Sequence, residues 1–108
     1  MIISISFVNR FKKAYEHFIR VYNIVKSESH FSAISLKWEP LLNNLGHVCR
    51  ELKNYEEALE YHQIALKLKS CPTSFIALGF IHYKMGNVDR AIQTFDTVKF
   101  RKKIFKFC

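Results

Sequence analysis

The segment LLNNLGHVCRELKNYEEALEYHQIAL, from Leu41 to Leu66, is repeated 33 residues later as SFIALGFIHYKMGNVDRAIQTFDTVK, from Ser74 to Lys99. Both copies contain a Leu-Gly pair, an alanine in the second half and a ring-bearing side chain four places after that alanine. Self-similarity at a fixed period of about 20–50 residues is the signature of proteins built from repeated supersecondary units. The sequence therefore predicts a repeat architecture.

Each copy has the pattern of two helices joined by a short turn. Apolar residues recur at steps of three and four, which places them on one face of a helix. The predicted turns are Lys53-Asn54 and Gly86-Asn87. Gly86 suits the left-handed backbone that ends many helices. Asn54 is the predicted N-cap of the next helix, and Glu57 three residues later completes a capping-box pattern.

Small residues mark the place where the two helices of each copy cross. Gly46 and Gly79 occupy equivalent positions in the first helices. We expect Ala58 and Ala91 to face them from the second helices, since larger side chains would hold the backbones apart.

A third helical pattern lies upstream, in residues 10–27. Its Ala14, Phe18 and Val21 repeat the spacing of the second helix of each copy, so it is interpreted as the second helix of an incomplete hairpin. Residues 1–9 supply no first helix for it. The rest of the chain divides into a loop at 28–37, complete repeats at 38–70 and 71–100, and a basic tail at 101–108.

Composition excludes several classes of protein. A chain of 108 residues corresponds to one small domain, and 3 Gly and 2 Pro are too few for an all-β chain with many tight turns. Cys49, Cys71 and Cys108 show no C-x-x-C spacing, which argues against a zinc ribbon or a disulfide framework. No apolar run approaches the roughly 20 residues of a membrane span. The net charge is +8, but five of the 17 basic residues lie in the last ten positions.

The arrangement of Leu-Gly, alanine and ring-bearing residue in a unit of about 33 residues resembles the tetratricopeptide repeat (TPR) family. The resemblance implies an all-α helix-turn-helix solenoid of about two and a half repeats. Cys49 and His82 depart from the family pattern, because an aromatic residue is usual three places after the glycine.

A more specific likeness covers KWEPLLNNLGHVCRELKNYEEALEYHQIAL, from Lys37 to Leu66, and continues through IALGFIHYKMGN. This run resembles the late repeats of the cell division cycle protein sixteen family, TPR subunits of the anaphase-promoting complex, which is a ubiquitin ligase. Because those proteins are several times longer, the resemblance implies a fragment, a truncated gene product or a degenerate copy. It also implies a non-catalytic scaffold in the nucleus and cytoplasm that holds a small accessory subunit in its groove.

The first helix of each hairpin lines the concave groove of such a solenoid. Six residues occupy the outward positions of these helices, and we predict that they form the partner-binding groove: Asn43, His47, Arg50, Ile76, Phe80 and Tyr83. Phe80 is the strongest candidate, because a large exposed aromatic side chain usually has a partner.

Other functions are less well supported by the sequence. His62, His82 and Cys49 fall in predicted core positions, so we expect no catalytic site, cofactor or metal there. Reading of RNA by helical repeats requires polar readers at equivalent positions. Asn43 and His47 are not repeated in the second copy, so we expect no specific nucleic-acid partner, and we expect no membrane partner. A stand-alone TPR adaptor for some other peptide is the alternative function, and nonspecific RNA contact through the tail is a third.

Overall fold

The computed structural model describes residues 2–28 and 36–101. Within these ranges the chain forms α-helices and one short 3-10 helix, Leu36–Trp38. The α-helices are α1 (Ile2–Glu28), α2 (Glu39–Glu51), α3 (Tyr55–Leu68), α4 (Pro72–Lys84) and α5 (Val88–Arg101). Helices α2 and α3 form one hairpin, and α4 and α5 form the next. None of the helices in these ranges combines the length and the apolar character needed to cross a membrane.

The two hairpin turns repeat the same backbone hydrogen bonds with the 33-residue offset. The N–H groups of Lys53 and Gly86 donate to carbonyls three residues earlier, and those of Asn54 and Asn87 donate to carbonyls five residues earlier, at 2.8–3.0 Å. This pattern ends a helix when one residue adopts positive φ. Gly86 has φ 87°, as its position predicts, and Lys53 has φ 65° at the equivalent place.

We predict that Lys53→Gly stabilises the protein. A side chain with a Cβ atom costs about 1 kcal/mol in the left-handed region, and glycine avoids most of that cost. We therefore expect the free energy of unfolding in urea to rise by about 0.5–1 kcal/mol. Gly86→Lys, the reciprocal change, is the control and should lower it by a similar amount. A lower stability for Lys53→Gly would contradict the prediction.

Packing joins the helices into a single stack. Helix α1 packs against α2, and α3 packs against α4. The rings of Tyr22 on α1 and Tyr61 on α3 meet edge to face, with their centroids 5.6 Å apart. The buried core consists of Tyr22, Leu42, Leu45, Cys49, Ala58, Tyr61, Ala65 and Ile81. One core is therefore shared by α1, α2, α3 and α4.

Each glycine at a helix crossing lies directly beside a ring. A Cβ atom added to Gly46 would lie 2.4 Å from Nε2 of His62, and one added to Gly79 would lie 2.6 Å from Cε1 of Phe95. These rings are the nearest neighbours of the two glycines, and the expectation that Ala58 and Ala91 also face them stays a prediction. The need for glycine at the crossing stands, because the ring occupies the space that a Cβ atom would need.

Two local expectations need correction. Helix α1 begins at Ile2, eight residues before its predicted start, because no glycine or proline interrupts the helix in residues 2–9. Asn54 is the N-cap of α3, but its side chain makes no capping hydrogen bond. Glu57 does not complete a capping box; its carboxylate accepts hydrogen bonds from Cys49 Sγ, at 3.3 Å, and from the hydroxyl of Tyr15. The predicted loop and tail lie largely outside the described residues, at 29–35 and 102–108.

Candidate functional site

Helices α2 and α4, the first helices of the two hairpins, contact each other and carry the six predicted groove residues. Those on α4 are all exposed, with 49% of Ile76, 37% of Phe80 and 59% of Tyr83 accessible. On α2, His47 is exposed, whereas Asn43 and Arg50 are half-buried. We name the surface formed by His47, Arg50, Ile76, Phe80 and Tyr83 the α2–α4 face.

Two cations lie over one aromatic ring of the α2–α4 face. The guanidinium carbon of Arg50 lies 4.9 Å from the centroid of the Phe80 ring, and Nζ of Lys84 lies 5.2 Å from it. Nη2 of Arg50 also lies 2.8 Å from Nδ1 of His47 and 3.1 Å from the carboxylate of Glu51. The face therefore combines positive charge with exposed apolar surface.

The structure adds two residues that the sequence analysis did not select. Lys84 follows Phe80 by four positions, and this spacing on a helix could have indicated the contact. The ring of Phe11, on α1, meets the ring of His47 edge to face, with centroids 6.1 Å apart. The second contact joins helices distant in sequence, so no local spacing could have indicated it.

Asn43 differs from the other five predicted groove residues because its side chain joins three helices. Its Nδ2 donates to the carboxylate of Glu39, so Oδ1 is the acceptor. Ser74 Oγ on α4 donates to that oxygen at 3.0 Å, and Nδ1 of His62 on α3 lies 2.9 Å from it. The Nδ1–H tautomer of His62 satisfies this arrangement. We name Glu39, Asn43, His62 and Ser74 the polar bridge.

His62 is buried in a site that disfavours its charged form. Only 3% of the residue is exposed, and Nε2 has no hydrogen-bond partner among the described residues. Burial, and then the positive charges of Arg50 and His47, lower the pKa of His62 to about 4. The imidazole is therefore neutral at pH 7, and its Nδ1–H is available to the polar bridge.

The other candidates for chemistry are also structural. The predicted core positions of Cys49 and His82 are confirmed, with 0% and 8% of these residues exposed. Burial and the neighbouring Glu57 raise the pKa of the Cys49 thiol to about 12, so it is an unreactive thiol rather than a thiolate nucleophile. Among the residues that the structure describes, no group of three or more His, Cys, Asp or Glu side chains is arranged to hold a metal ion.

Comparison with known proteins agrees with this architecture. Residues 40–70 match the tetratricopeptide repeat family. Over 62 residues, or 56% of this chain, the sequence is 56% identical to the human and mouse proteins named Cell division cycle protein 16 homolog. It is 45% identical over 56 residues, or 51% of the chain, to Anaphase-promoting complex subunit 6 of Dictyostelium discoideum.

The match covers only a small part of the length of each relative. It covers 10% of the human and mouse proteins and 6% of the Dictyostelium protein, so the chain spans about a tenth of the length of the first relatives it matches. The predicted all-α TPR helical repeat is confirmed by the helices and by the family match. The likeness to this group of subunits is confirmed as well.

Proposed function

We propose that this chain is a non-catalytic TPR scaffold segment that binds subunits of the anaphase-promoting complex through the α2–α4 face. The observation that carries the proposal is the 56% identity over 62 residues to Cell division cycle protein 16 homolog. The Dictyostelium relative is itself named as a subunit of that complex. In this proposal the chain contributes to cell-cycle protein degradation by holding other proteins in place, in the nucleus and cytoplasm.

The exposed side chains of the α2–α4 face support binding of a protein partner. Ile76, Phe80 and Tyr83 expose apolar surface in one row, because they lie four and then three residues apart on α4. Such rows suit an extended or helical peptide laid across the first helices of a solenoid. We propose a small accessory subunit of the complex as the ligand of this face.

The proposal is tested by purification of the tagged chain from its own cells. We expect mass spectrometry to find other subunits of the complex in near-equal amounts. The double variant Phe80→Ala/Tyr83→Ala should lose them, since it removes most of the exposed aromatic surface of the face. Ile92→Ala is the matched control, because Ile92 is 52% exposed on α5, away from this face. Circular dichroism of each variant checks that the helices are retained.

Two results would overturn the proposal. A soluble tagged chain that brings down no subunit of the complex would leave the stand-alone TPR adaptor as the better explanation. Equal loss of subunits in the double variant and in Ile92→Ala would show that the α2–α4 face is not the binding surface.

A further inference from the structure

We infer that the α2–α4 face selects an acidic protein segment with an apolar anchor, in which carboxylates flank one large apolar side chain. The inference rests on the proposed function in one respect, namely that this face binds protein. It goes further by stating the chemistry of the ligand, and it does not depend on which complex supplies that ligand.

The apolar part of the ligand follows from the row on α4. Phe80 stands between Ile76 and Tyr83, and each of the three remains at least 37% exposed. A ligand side chain that contacts the exposed part of Phe80 would also contact its neighbours one turn away on either side. Because the gain from burial grows with the apolar area removed from water, the anchor is a large apolar residue rather than alanine.

The acidic part follows from the charges around Phe80. Lys84 has no carboxylate within ion-pair distance among the described residues, so its charge lacks an anionic partner there. Arg50 has one, Glu51, and that pair is partly open to solvent. Two cations beside one apolar anchor site therefore complement carboxylates placed next to an apolar residue.

Single-stranded RNA fits this face less well. Proteins that bind single strands offer aromatic faces on which bases stack. The Phe80 ring already has the Arg50 guanidinium and the Lys84 ammonium over it, at 4.9 and 5.2 Å. A base would have to displace these cations before it could stack. A carboxylate would approach them directly.

The test uses the full 108-residue chain and two fluorescent dodecapeptides, followed by anisotropy. One peptide carries a central Phe with three Asp residues on each side, and the other replaces every Asp with Asn. We expect the Asp peptide to bind at least about tenfold more tightly at low salt. The difference should shrink in about 0.5 M salt, because salt screens partly exposed charges. Lys84→Gln and Arg50→Gln should each weaken its binding by about three- to tenfold.

Lys67→Gln is the matched control, since it removes the same charge from an exposed position on α3. It should leave binding of the Asp peptide unchanged. Equal binding of the Asp and Asn peptides, or binding of neither, overturns the inference, as does an equal loss in Lys67→Gln and Lys84→Gln. Tighter binding of a labelled oligouridylate that depends on Lys84 also overturns it, in favour of RNA. Lys84 is exposed, so this variant remains informative if Arg50→Gln unfolds.

Failure of this inference and failure of the proposed function give different experimental results. Selective binding of the Asp peptide by a chain that purifies without the complex would retain the inference and reject the complex as the partner. Co-purification with the complex, together with equal binding of the Asp and Asn peptides, would do the reverse.

Discussion

Gly46→Ala is expected to lower the free energy of unfolding by about 2–3 kcal/mol, because overpacking of a close helix crossing costs that much. The new Cβ atom would lie 2.4 Å from Nε2 of His62, closer than non-bonded atoms approach. The ring has little freedom to withdraw, since it is 3% exposed and its Nδ1 is held by Asn43. Thermal unfolding followed by circular dichroism should show a fall of about 10 °C or more.

Gly79→Ala is the matched control for this prediction. Its Cβ atom would lie 2.6 Å from the Phe95 ring, but Phe95 is 40% exposed and can turn toward solvent. We therefore expect a cost of about 1 kcal/mol or less, because the neighbouring side chain yields. Combining Gly46→Ala with His62→Ala should recover part of the loss by making room. Equal effects of the two glycine substitutions would contradict the contacts described at the crossings.

Stability is expected to fall by about 3 kcal/mol between pH 7 and pH 4 through His62 alone. The pKa of His62 is lowered to about 4 in the folded chain from its ordinary value of 6.5. Well above pH 6.5 both states are neutral, and His62 adds little pH dependence. Between pH 6.5 and 4 the unfolded chain binds the proton first, so folding becomes less favourable as the pH falls. Urea unfolding at several pH values measures this slope.

His62→Phe isolates the contribution of this residue. The second hairpin already has phenylalanine in the equivalent place, since Phe95 covers Gly79. The variant loses the hydrogen bond to Asn43 and is expected to be less stable than the native chain at pH 7. Its stability should nevertheless depend less on pH in the window from 6.5 to 4. Residual dependence would come from His82, whose pKa burial also lowers. An unchanged slope would show that His62 is not the titrating group.

Repetition explains why the fold could be predicted from the sequence. The turn residues at 53–54 and 86–87 recur with the same offset as the glycines at 46 and 79. The turn residues therefore fall where the apolar periodicity of each helix ends. The structure repeats the same turn hydrogen bonds in both hairpins. The capping box predicted at Asn54 and Glu57 is absent because the Glu57 carboxylate makes a tertiary contact instead, with Tyr15 from α1 and Cys49 from α2. A contact between helices outweighed a local pattern there.

The candidate site could be predicted only in part. Periodicity correctly placed Phe80 and Tyr83 on an exposed side of α4. It could not show that Asn43 turns its oxygen toward His62 and Ser74, because these partners are 19 and 31 residues away. Helical periodicity gives the direction of a side chain, whereas its partner depends on which helix packs beside it. The role of the six predicted groove residues in binding a partner stays a prediction.

The polar bridge also couples the unfolding of the two hairpins. In a solenoid, the coupling between adjacent units resembles that of a one-dimensional Ising chain, in which each unit is stabilised by its neighbours. One oxygen of Asn43 accepts from the first hairpin through His62 and from the second through Ser74. Fraying of the second hairpin would remove one donor and admit water to the buried imidazole. The penalty of opening one unit is thus transmitted to the other, which favours a single cooperative transition over stepwise melting.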